Sequence, residues 1–265
     1  MNNPQGGIFA LGTASHAYFE FSLRDNSSGA ELVRAISGCA SRGRRWAASI
    51  SSARVQAGAL AEVSGGELPT SLGGFDEDLV GIDGFVMPAT QHDAVLWLSG
   101  SAYDVIFDVA RAAIASSESW QRVAEETSSW PYRHDRDLTG FIDGSENPDA
   151  DRCAGARPRP RGTSRARAGR SCSCRSGLTT PPAWEALPDA EQERVIGRTK
   201  PDSVELEDQA RRLARREHRP GPLRQDLPPQ HALTARSPTT GRCSSASAPS
   251  SSRSSAMLES MAGLG

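Results

Sequence analysis

The sequence predicts an α+β fold, a ferredoxin-like antiparallel sheet with helices on one face, and three observations point to it. Ala17, Phe19, Phe21 and Leu23 alternate with His16, Tyr18, Glu20 and Ser22, the two-residue period of a half-buried strand. Two later stretches carry apolar residues at helical spacing, and strand signals lie between and after them. The resulting order of strand, helix, strand, strand, helix and strand suits one antiparallel layer covered on one side.

The first strand runs within Gly7–Leu23. A helix follows over Glu31–Ala40, with Leu32, Ile36 and Cys39 on one face and Gly38 weakening its end. Val80–Met87 and Ala94–Leu98 read as the next strands, separated by Pro88, which cannot donate to a ladder. Ser101–Ser116 reads as a helix burying Val105, Ile106, Val109, Ala113 and Ile114, and Trp120–Glu126 as a final strand.

Beyond Asp151 the composition changes. Residues 1–151 hold 10 Arg and 21 acids, whereas residues 152–265 hold 19 Arg, one Lys and 11 acids, so the overall charge of −2 conceals two halves of opposite sign. Of 15 aromatic residues only Trp184 lies in the second half, which therefore lacks the side chains that dominate core burial. Arg152–Arg175 carries eight arginines, no acid and no aliphatic residue larger than alanine, and cannot offset its ordering entropy by burial. Regular structure is expected again in Pro182–Asp208, where Leu187-Pro188-Asp189 starts a short helix that Gly197 stops. Gln209–Ala256 is again rich in Arg, Pro and Ser. Two regions follow: an ordered 1–151, and a 152–265 that folds poorly apart from an island at 183–208.

The N-terminus has no charged and apolar leader pattern, which predicts a cytoplasmic protein. No run approaches the roughly 18 apolar residues of a membrane span, so no membrane partner is expected. Cys39, Cys153, Cys172, Cys174 and Cys243 form no zinc or haem-attachment spacing, and no metal site is predicted from them.

One stretch carries chemistry, Asp137-Leu-Thr-Gly-Phe-Ile-Asp-Gly-Ser-Glu-Asn-Pro148. Gly140 and Gly144 bracket a turn that presents Asp143, while Phe141 and Ile142 can seat the turn on a core and dry the carboxylate. A dried carboxylate can hold or pass a proton near neutral pH. The other reading is a surface Asp-Gly turn closed by Asn147-Pro148.

Gly140-Phe-Ile-Asp-Gly144 followed by Glu146-Asn147-Pro148 resembles the signature of the dye-decolourising peroxidases, a family of haem enzymes. Gly7–Phe21, Gly84–Leu98, Trp130–His134 and Gln192–Leu206 resemble bacterial members of that family, and the likeness covers most of 5–38, 73–150 and 183–208. The resemblance implies two ferredoxin-like layers, haem b as cofactor, and hydrogen peroxide with a small-molecule electron donor, a dye or a phenol, as reactants. It also implies a homo-oligomer. Asp143 occupies the distal acid's position, the residue that moves a proton between the two peroxide oxygens. Gly140, Gly144, Glu146, Asn147 and Arg198 fall in motifs that line the cofactor pocket.

The family's proximal histidine and distal arginine have no counterpart; the positions that should hold them are the Ala214-Arg215 and Pro228-Pro229 junctions. No motif supports His218 or His231 as substitutes. A shifted reading frame accounts for both losses. Arg212–Arg216 can be encoded CGA CTC GCA CGT CGC, and dropping the first base yields Asp-Ser-His-Val, a family-like word. Arg219–Ala232, Ala168–Gly177 and Arg54–Ala61 likewise admit family-like words in a neighbouring frame, the second being Gly-Ser-Val-Leu-Leu-Leu-Gln-Lys-Trp. The expectation is a peroxidase frame broken by several shifts and a polypeptide that is inactive as written. The alternatives are a catalytically dead interaction protein, or a basic tail that binds nucleic acid; the arginine run lacks the interleaved aromatics that stack on bases, which disfavours the latter.

Overall fold

A computed structural model describes residues 13–25, 27–42, 48–55, 57–64, 74–81, 84–133, 136–142, 171–179, 181–206, 233–235, 240–248 and 259. Strand β1 (Ser15–Leu23) leads into helix α1 (Gly29–Arg42), β2 (Ala48–Val55) and helix α2 (Ala57–Ser64). Then come β3 (Leu79–Val80), β4 (Val86–Met87), β5 (Ala94–Gly100), helix α3 (Tyr103–Ala115) and β6 (Gln121–Trp130). The second half contributes β7 (Ser171–Thr179), α4 (Pro181–Glu185), α5 (Asp189–Ile196), β8 (Leu233–Ala235) and β9 (Thr240–Ala248).

The main sheet has the order β2-β5-β1-β6-β8-β9-β7, and each described pairing in it is antiparallel. Its first four strands, with α1 and α3 as crossovers, form the predicted ferredoxin-like layer. The core lies where the helices cover this layer. Ala17, Phe19 and Phe21 of β1 and Leu96 and Leu98 of β5 meet Leu32 and Ile36 of α1 and Ile106, Ala110 and Ala113 of α3. Val105, Val109 and Ile114 pack half-buried around them. Area burial at about 25 cal/mol per Å² makes this cluster the principal stabilising element of the first half.

Local chemistry sets the helix ends. Ser28 and Glu31 form a reciprocal capping box: Glu31 N–H donates to Ser28 Oγ at 3.3 Å and Ser28 N–H to Glu31 Oε2 at 2.9 Å. Gly29 lets α1 touch α2, because a Cβ there would lie 2.6 Å from Ala59 Cα.

One sequence expectation needs correction. The second strand of the layer is Ala48–Val55, not Val80–Met87. The latter holds two short strands, β3 and β4, which pair with each other (Leu79 with Met87, Val80 with Val86) over a small cluster of Phe75, Leu79, Phe85 and Met87. Gly84, at φ +77°, turns the chain between them. The sequence of β2, Ala-Ser-Ile-Ser-Ser-Ala-Arg-Val, has only Ile50 and Val55 as large apolar residues, too few to show a period. In the second half, β7, β8 and β9 occupy stretches whose composition does not announce strands. β7 and β9 pair from Ser171 with Ala248 to Thr179 with Thr240 without a register shift, and β8 joins β6 through Ser129 with Thr234 and Trp130 with Leu233.

Candidate functional site

The turn that leads into the motif is built by Arg136–Ile142. Arg136 bridges Tyr132 on one side and Ile142 on the other, and Asp137 N–H donates to Phe141 O at 3.0 Å. Inside the turn the buried Asp137 carboxylate accepts the Thr139 N–H at 2.8 Å and the Thr139 hydroxyl. Gly140 sits at φ +90°, where an L side chain is strained, and a Cβ would meet Lys200 Cε at 3.0 Å.

A second segment, α4 to Leu206, is docked on this turn. Trp184 is buried; its indole N–H donates to Thr139 O at 3.0 Å and its ring meets Phe141 edge-on at 6.2 Å. Helix α5 ends at Gly197, left-handed at φ 82°, whose N–H returns to Glu193 O at 2.7 Å. Beyond it, Arg198–Glu205 forms a small hairpin closed by Thr199 N–H to Val204 O at 2.9 Å, with Ser203 at φ 59°. Gln192 is satisfied at both ends of its amide: Nε2 donates to Trp184 O and Leu187 O, and Oε1 accepts Lys200 Nζ at 2.7 Å. Lys200 Nζ also donates to Asp189 Oδ1 at 2.6 Å and lies 6.0 Å from the Phe141 ring centre.

Turn and hairpin together wall a cleft of about 760 Å³, lined in part by Tyr132, Leu138, Trp184 and Leu187. Its charges are mixed, Arg133, Arg136 and Lys200 against Glu185, Asp189 and Glu193. None of its described lining residues is a histidine or a cysteine, so these residues offer neither a thiolate nor an imidazole.

Of the residues singled out from sequence, Gly140 and Arg198 lie in this region. The first is in the turn. The second donates from Nη1 to Ser203 O at 2.9 Å across the hairpin. Asp143, Gly144, Glu146 and Asn147 lie outside the described residues, as do His134, His218 and His231. Sequence reasoning missed Arg136, Trp184, Gln192 and Lys200. The sole lysine and the sole aromatic residue of the second half were signals that these positions are used.

The described histidines are elsewhere. His16 Nδ1 accepts the Trp97 indole N–H at 3.2 Å, and its Nε2 is 3.2 Å from Thr13 Oγ1, while Tyr18 stacks on Trp97 at 5.6 Å. Burial holds His16 below the usual imidazole range, opposed by its hydrogen bond to the Thr13 backbone. His92 Nδ1 lies 3.1 Å from Ser22 Oγ at the other end of β1. Among the described residues no group of three or more His, Cys, Asp or Glu side chains could hold a metal.

Comparison with known proteins agrees with this architecture. The profile of the family described as Dyp-type peroxidase, C-terminal, matches residues 134–242. A dye-decolorizing peroxidase of Mycolicibacterium paratuberculosis is 36% identical over 123 residues, 46% of this chain and 34% of that protein. Over these parts of its length the chain is similar to Dyp-type peroxidases. It spans only about a third of the length of this curated relative in the matched region. The dye-decolorizing protein from V. cholerae superimposes with a TM-score of 0.73 at 26% identity, over 97% of this chain and 88% of that one. A DypB variant of Rhodococcus jostii RHA1, solved in complex with heme, gives 0.76 at 24% identity over 97% and 86%, a likeness of fold. The chain thus shares the overall α+β fold of these structures.

Proposed function

We propose that this chain derives from a haem-dependent peroxidase that uses hydrogen peroxide to oxidise dyes, phenols or similar donors, and that it does not turn over as its sequence stands. Asp143 is assigned the acid-base role, Gly140 and Gly144 the backbone freedom of its turn, and Glu146, Asn147 and Arg198 the lining of the cofactor pocket. A relative solved with heme supports the cofactor assignment.

The described residues do not fit haem. Both nitrogens of His16 are occupied by Trp97 and Thr13, His92 is held by Ser22, and the cleft beside the motif turn has no imidazole among its described lining. No catalytic step through the cofactor is therefore assigned to this polypeptide.

The β7–β9 pairing carries the reading. Ser171–Thr179 contains Leu178 as its one large apolar residue and Thr240–Ala248 contains none, yet both lie paired in the main sheet. Strands survive in sheets when their side chains pack on neighbours. Within Ala168–Gly177 the neighbouring frame supplies the β-prone Val-Leu-Leu-Leu that the written frame lacks. A peroxidase gene with shifted segments accounts for strands written in a sequence so poor in large apolar residues.

The test is reconstitution. Purified chain mixed with hemin should give no Soret band of histidine-ligated haem and no peroxide-dependent dye bleaching, while the chain encoded by the corrected frame should give both. Peroxidase turnover by the present polypeptide would refute the proposal. So would DNA that confirms the frame over 152–177 and 209–256 and has no family-like words in its neighbour.

A further inference from the structure

The geometry points to Arg136 as a positioning residue that locks the turn leading into Asp143 onto the 197–206 hairpin. Its functional meaning rests on the acid-base role proposed for Asp143; the lock itself rests on geometry alone. Arg136 is half-buried and donates to three backbone carbonyls. From Nη1 it reaches Gly140 O at 2.7 Å and Lys200 O at 2.7 Å, and from Nη2 it reaches Pro201 O at 2.8 Å. One acceptor belongs to its own turn and two lie 64 and 65 residues further along the chain. A planar guanidinium fixes the relative orientation of such acceptors, which a single ammonium cannot do.

Two further observations show that the junction is built. Trp184 and Lys200 grip the same turn, through Thr139 O and the Phe141 ring. Gly140 lacks the Cβ that would push Lys200 away. Arg136 also pairs through its backbone with Ile142, the residue directly before Asp143. Moving the guanidinium's anchors therefore moves Ile142, the residue that precedes Asp143 in the sequence.

Hydrogen exchange on the full chain tests the lock, with Arg136→Gln and Arg136→Lys compared to the native sequence. Charge-assisted hydrogen bonds of this kind predict about a tenfold or greater acceleration at Gly140, Thr199 and Leu206 together in both variants, with β1 and β5 unchanged. Unchanged exchange at 197–206, or full protection in Arg136→Lys, overturns the lock. So does loss of protection that spreads through β1 and β5 in both variants.

The positioning role has its own readout, the side-chain carboxyl carbon resonance of Asp143, assigned by its loss in Asp143→Asn. It should shift or split in Arg136→Lys. A resonance that stays in place removes Asp143 from the lock's reach and overturns the role. Neither measurement contains haem, so failure of the peroxidase reading, seen as an absent Soret band in the frame-corrected chain, is distinguishable from failure here.

Discussion

The β2-β5-β1-β6 half of the main sheet and its β8-β9-β7 continuation share antiparallel backbone pairing but differ in what their sequences bring to it. β1 and β5 place Phe19, Phe21, Leu96 and Leu98 under two helices. β7 and β9 are written almost wholly in Ser, Cys, Thr, Gly, Ala and Arg. Backbone pairing in the first half is thus backed by burial, which is the larger and less exchangeable contribution. The difference is one of sequence: the first half joins apolar residues to its strand pairing, and the strands β7 and β9 contain Leu178 as their one large apolar residue.

Mutations should separate the two halves. Leu98→Ala, at a fully buried site, should cost about 3–4 kcal/mol by transfer and cavity terms, measured by urea denaturation followed through the Trp97 and Tyr18 environment. An equally large loss on substituting Leu178 by Ala would break the comparison, because it would mean that the second half is also held by burial.

The docked segment lies between these extremes. Trp184→Phe removes the indole donor and leaves Thr139 O without it, which should cost about 2 kcal/mol at this junction. Proteolysis at 197–206 would detect it, and unaltered resistance would place the segment's stability elsewhere. Gly140→Ala adds a Cβ at φ +90° against Lys200 and should cost about 1–2 kcal/mol. Truncating Lys200 in that background should recover only the steric part.

The smallest effect belongs to the face of β1 opposite the core. Glu20 pairs across to Glu125 of β6, and its carboxyl is pushed up, chiefly by burial, with His92 opposing and Glu125 reinforcing. A carboxyl raised in the folded state contributes stability that is full below its ordinary value and is lost as pH rises through the folded one. Glu20→Gln should therefore stabilise at pH 7 by on the order of a few tenths of a kcal/mol, discounted for solvent screening, and change nothing at pH 4. His16, shifted down, runs the other way, its contribution being lost as pH falls below the imidazole range.

Much of the first half was legible because its residues obey one period at a time. β1, α1, β5, α3 and β6 each carry a local apolar pattern, and Gly197 marked a helix end that it does cap. β2 was not legible, since Ile50 and Val55 alone make no alternation. The strands of the second half were illegible for a stronger reason: β7 pairs with β9 and β8 with β6 across long stretches of chain, Ser171 against Ala248 and Thr234 against Ser129, and nothing in their sequences announces it. At the candidate site, Gly140 was legible as a turn glycine needing positive φ. Arg136 was not, because an arginine beside an aspartate reads as a solvated pair until the carbonyls of Lys200 and Pro201 are seen to converge on it.

The single lysine of this chain offers a handle of another kind. Its ε-amine, tied to Asp189 and Gln192 at the docked segment, is the one side-chain target for amine-directed acylation in the sequence. The rate at which an activated ester modifies Lys200 then becomes a clock for the opening of that segment, read as one mass increment on one peptide.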